Sequence, residues 1–155
     1  MAVSAIVDTF AVSTGAVSTT QERTGLPNPL KVAIVATMGR AAATEGFARI
    51  DLKRCFGVAT SPTNRFVAGD QNDNGAADMS ADKIHRDDAL IGTMTSAGLL
   101  DGLLDVSVFG PSAITYIVDD QFTVGVGLTG LYLGGADFTA AEVFSFAQAT
   151  SAGDQ

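Results

Sequence analysis

The residues of this chain best spaced for chemistry lie in the stretch DQNDNGAADMSAD, Asp70 to Asp82. Set against the calcium loop of an EF-hand, Asp70, Asn72 and Asn74 fall at positions 1, 3 and 5, Gly75 at the sharp-turn position 6, and Asp78 at position 9. Hard oxygen atoms at alternate positions of a tight loop are what a calcium ion requires. Position 12, where a bidentate Glu closes the site, holds Ala81, and Asp82 comes one residue late and one methylene short. The flanks NRFVAG and ADKIHRDDALIG read as strand-like, whereas an EF-hand loop joins two helices. Asp, Asn and Gly are also the residues that turns demand. Asp70, Asn72, Asn74 and Asp78 therefore form an incomplete calcium-loop candidate, and a polar turn is the favoured reading.

Other titratable clusters carry less. His85, Arg86, Asp87 and Asp88 could be drawn as an acid/base group, and Asp119 with Asp120 as a carboxylate pair, yet neighbours on a strand point to opposite faces and do not converge on one atom. Cys55 and His85 are the single cysteine and histidine, too few for a cysteine-based zinc site or an intramolecular disulfide, so Cys55 reads as a buried thiol. The chain has no Gly-x-Ser-x-Gly elbow, and GVGLTG lacks the lysine and helix of a phosphate loop. We expect no catalytic residues, no cofactor and a non-enzymatic protein.

The elements that would position such residues are strands. Glycine numbers 17, and short apolar runs rich in Val, Ile, Thr and Phe alternate with turn residues. Nine segments read as strands: Val3 to Ser13, Leu30 to Met38, Arg49 to Thr60, Arg65 to Gly69, Ala89 to Thr95, Leu103 to Gly110, Ala113 to Asp119, Phe122 to Gly134 and Glu142 to Gln148. The fold class is all-β, an antiparallel β-sandwich or a jelly-roll-like single domain. In FTVGVGLT, Phe122, Val124, Val126 and Leu128 alternate with Thr and Gly, which gives one core face and suggests a backbone or aromatic ring lying across the glycines. KVAIVAT is apolar on both faces, which suits a central strand or one sandwiched by a neighbouring subunit. Pro27 and Pro29 fix the chain where that strand begins. We expect an N-terminal strand or arm over residues 1–24, a β-sandwich domain over 25–150 and a polar tail over 151–155.

With 155 residues, 46% of them hydrophobic, the chain is long enough to bury a core in one domain. No apolar run reaches the roughly 18 residues of a membrane span. The first residues lack a basic region and carry Asp8, so they do not read as a signal peptide. A net charge of -8 disfavours nucleic acid as a partner and imposes self-repulsion that any assembly must overcome by burying apolar area.

From about Gly25 to Asp137 the order of short motifs resembles a β domain that recurs in tailed-phage virion proteins. The motifs are the proline-led strand LPNPLKVAIVATMGR, the turn FGVATSPTNR, the polar segment DQNDNGAADMSADKIHRDDALI, the segment LLDGLLDVSVFG and the ending LYLGGAD. That ending is one residue shorter than the domain's usual YLALGG, and GPSAITYIVDDQF replaces its usual DGFTLNW strand. The resemblance implies a virion structural protein, either a capsid decoration or cement protein or a small tail or fibre module, made in the bacterial cytoplasm. It implies other virion subunits as partners, such as major capsid or tail proteins, and homo-oligomers, trimers included. A lectin-like sandwich that binds carbohydrate or a receptor at a tail tip is the alternative, and an absent Trp and only two Tyr give it little support.

Overall fold

Ten strands and no helix make up the described residues of the computed structural model, which are 2–12, 14–37, 51–73, 81–95, 98–123 and 125–142. The strands are β1 (Ser4–Val12), β2 (Thr20–Arg23), β3 (Leu30–Thr37), β4 (Asp51–Ser61), β5 (Asn64–Asp73), β6 (Ala81–Arg86), β7 (Ile91–Met94), β8 (Leu100–Phe109), β9 (Ile114–Asp120) and β10 (Val126–Gly134). They pair antiparallel in a six-stranded sheet of order β1-β10-β3-β4-β5-β6 and a four-stranded sheet of order β2-β9-β8-β7. The fold is an antiparallel β-sandwich, as the residue pattern predicts. The first two strands pair with the last two, β1 with β10 and β2 with β9, as in a jelly roll; between them β3 to β6 and β7 to β9 run as meanders.

Eight of the expected strands are present with shifted ends, and the ninth, from Glu142, lies outside the described residues apart from Glu142 itself. The strand expected from Phe122 starts at Val126; Phe122 is instead a fully buried plug packed on Gly102, where an added Cβ would lie 2.5 Å from its ring. Two strands have no apolar signal in the sequence, β2 (TQER) and β6 (ADKIHR). Both are edge strands, where only one neighbour must be satisfied and charge is favoured.

The core lies between the sheets. Alternate residues of β10 point inward, with Val126, Leu128 and Tyr132 buried, and β3 contributes Ala33 and Val35 from the same side. Tyr116 and Phe10 stack with ring centroids 5.1 Å apart, and the Tyr116 and Tyr132 hydroxyls hydrogen-bond across the core at 2.8 Å. The glycine of β10 that meets an aromatic ring is the core-facing Gly130, outside FTVGVGLT, where a Cβ would stand 2.5 Å from the Tyr132 hydroxyl oxygen. At Gly57 on β4 the main chain itself crosses, since an added Cβ would collide with the Leu90 carbonyl oxygen.

Among the described residues, two ion pairs tie the sheets together. Asp8 of β1 accepts from Arg23 of β2, with Nε at 2.7 Å, while that guanidinium sits 5.2 Å from the centre of the Phe10 ring. Arg65 of β5 forks onto Asp105 of β8 through Nε and Nη2 with both contacts at 2.6 Å, and Nη2 also donates to the Asp88 carbonyl at 3.0 Å. Asp105 is buried, and this bidentate pairing together with the Val106 amide at 2.7 Å satisfies it.

Candidate interaction face

Register, more than any single motif, assembles the most unusual surface of the molecule. Val7 on β1 stands opposite Leu131 on β10, Leu131 opposite Ile34 on β3, Ile34 opposite Val58 on β4, and Val58 opposite Phe66 on β5. Directly paired residues point to the same side of a sheet, and this row alternates with the buried set, so it faces away from the core. Five strands thus present one continuous ridge of branched and aromatic side chains on the outside of the six-stranded sheet. Beside it runs a second row of Thr9, Thr129, Ala36, Phe56, Ala68 and His85. Ala5, Leu133 and Val32 flank the ridge on its other side.

A two-layer antiparallel sandwich ordinarily keeps its outer faces polar, because they meet water. The four-stranded sheet is mixed on its outside, where Thr20, Glu22 and Thr115 stand beside Ile117 and Val108. On the six-stranded sheet none of the residues in the ridge and its flanking rows is a carboxylate, lysine or arginine. Val7 is 67% exposed and Phe56 49% exposed, while Leu131, Ile34, Val58 and Phe66 are half-buried and Val32 is buried. Charge aligns at one margin, where Arg54, Asp70 and Lys83 stand across β4, β5 and β6. Arg54 and Asp70 satisfy each other, with Nη2 to Oδ2 at 2.5 Å, and that hydrogen bond raises the arginine's already high pKa.

This geometry also locates the calcium-loop candidates. Asp70 and Asn72 belong to β5 and pair in register with Lys83 and Ala81 of β6, so the polar stretch continues a hairpin within one sheet. The Asp70 carboxylate is occupied by Arg54. Asn74 and Asp78 lie outside the described residues. Among the described residues, no three His, Cys, Asp or Glu side chains are grouped to hold a metal ion.

Among the remaining titratable groups, Arg65, Arg86, Asp88, Asp105 and Asp119 feel one another's charge as a network. His85 lies against Phe66 on the outer face in an edge-on contact of 4.4 Å, while Arg86 turns away to fork onto Asp88 with both contacts at 2.6 Å. The paired guanidinium holds Asp88 below the usual carboxylate range. Asp119 is held above it, first by partial burial and then by the nearby Asp105 charge. Asp120 caps the Gln121 amide at 2.9 Å. Cys55 is buried beneath β7, where the Gly92 amide donates to its sulfur at 3.3 Å, and burial pushes its thiol up to about 11. Both tyrosines are fully buried, so neither offers the stacking platform of a sugar site.

This face escapes motif reading because its members are scattered over five strands and only register aligns them; the two-sided apolarity of KVAIVAT is its one local signal. Comparison of the chain with protein-family models, with curated proteins and with solved structures finds no match in any of the three.

Proposed function

We propose that this chain is a non-enzymatic structural protein of a bacteriophage virion, a capsid decoration or cement protein or a small tail or fibre module, that binds neighbouring subunits. The observation that carries the reading is the uncharged row Val7, Leu131, Ile34, Val58 and Phe66 on the outside of the six-stranded sheet. A face of this kind is stable in water only at a cost, and contiguous apolar patches beyond a few hundred Å² mark interaction surfaces. The order of motifs from the proline-led strand to LYLGGAD supports the virion setting. A structural protein would use such a face repeatedly, against neighbours arranged by symmetry.

Washed virions of a phage encoding the chain provide the test. A quantitative gel should show it as a stoichiometric component, with hundreds of copies for a head decoration and a handful for a tail module. Its absence from washed particles would overturn the reading.

A further inference from the structure

We infer that the outer face of the six-stranded sheet pairs with the same face of a second copy of this chain, through a two-fold axis, to form a four-layered dimer. The inference rests on the reading of this surface as an assembly face and adds the identity of its occupant. Three observations select a second copy.

The first is shape. The ridge of Val7, Leu131, Ile34, Val58 and Phe66 lies beside a row that is mostly small, with Thr9, Thr129, Ala36 and Ala68. A ridge next to a trough on one surface is what an isologous contact needs, since a two-fold rotation can set each ridge against the partner's trough. Phe56 stands in the trough as a projecting ring. Sheets stacked in this way sit ~10 Å apart, close enough for the two rows to interdigitate.

The second is charge. The chain carries a net charge of -8, and like-charged copies repel unless the contact excludes charge. The ridge and both flanking rows contain no carboxylate, lysine or arginine, and the marginal Arg54 and Asp70 neutralise each other. Glu22 and Asp119 lie on the other sheet, and the buried Asp105 is paired with Arg65. A different protein would normally be selected by complementary charges across the interface, and this surface presents almost none to read.

The third is area. The residues of the three rows, ~4.8 Å apart across strands and ~6.8 Å apart along them, give a flat footprint of roughly 450 Å² per copy, or about 900 Å² for the pair. That is the size of a weak, reversible contact.

The test is the mass of the full chain in solution, measured by sedimentation over a concentration series. Wild type should move from monomer to dimer as concentration rises. Val7→Lys combined with Phe56→Lys should remain monomeric; both side chains are already largely exposed, so the fold should survive, as circular dichroism and thermal unfolding would confirm. Val108→Lys, at a residue 54% exposed on the other sheet, should dimerise like wild type. A wild type that stays monomeric at the highest concentration, a dimer indifferent to the paired substitutions, or one abolished by Val108→Lys would overturn the inference. The outcomes separate from those of the virion assay. A monomer found in washed virions sinks the pairing and leaves the assembly reading standing, whereas a dimer absent from virions does the reverse.

Discussion

Cys55 is the residue whose environment makes the plainest prediction. Its thiol is buried, touches the Gly92 amide and is raised to about 11, so the reactive thiolate is scarce at neutral pH. An aromatic disulfide reagent should leave the folded protein unmodified for hours and titrate one thiol at once in denaturant. The two buried tyrosines make a second. Their hydroxyls are bonded to each other, so Tyr116→Phe or Tyr132→Phe alone orphans the remaining hydroxyl and should cost about 1 to 3 kcal/mol. Removing both should cost less than the sum, which a double-mutant cycle by urea unfolding would show. Burial also raises both phenols above the ordinary 10.0, so the unfolded chain ionises first as pH rises. Their contribution is whole below about pH 10 and falls above it by about 1.4 kcal/mol per pH unit for each phenol that stays protonated in the fold. Urea midpoints taken across the alkaline range should decline steeply for wild type and less for the double Phe variant.

Strands and their ties set the next scale. Arg65 and Asp105 bind the six-stranded sheet to the four-stranded one, with side chains only 17% and 9% exposed. Arg65→Met leaves a buried carboxylate without its counter-charge and should cost about 3 kcal/mol, whereas Arg65→Met with Asp105→Leu should recover most of that loss. Denaturant unfolding of the two variants checks both signs. Gly57→Ala should be worse than either, because its Cβ meets the backbone oxygen of Leu90 and no side chain can swing aside; loss of folded protein on expression is the expected outcome. At this scale the sequence is readable where apolar residues alternate, as in β10, and where both faces are apolar, as in β3. It is silent for β2 and β6, since polar edge strands resemble loops until a partner strand is known. β5 runs to Asp73, well past the expected end at Gly69, because hairpin pairing with β6 carries polar residues along. The buried Asp101 and Asp105 give no apolar signal either; they are tolerated because Thr93, Thr123 and Arg65 reach them.

For the whole molecule, the division of labour between its two outer faces is the governing fact. One mixes Glu22 and Thr20 with Ile117 and Val108, and the other carries the aligned rows without charge. No window of sequence contains that contrast, because it depends on which strands are neighbours and in what register. It leads to a salt dependence opposite to that of a charge-driven complex. Screening of the net charge of -8 should strengthen association between copies, since the contact itself breaks no ion pair. Sedimentation at low and at high ionic strength should therefore show more dimer in the saltier buffer.

The tie between Asp8 and Arg23 has a meaning at this scale as well. β1 and β2 are edge strands of the two sheets, and each turns a charged side chain inward toward the other across the seam. Any foreign strand that tried to extend either sheet there would have to seat its own inward residue beside a charged couple. Growth by strand addition is open-ended and leads to fibres, whereas contact through a two-fold face terminates at two. The seam thus acts as a stopper: it lets a chain with a sticky flat side remain a countable particle.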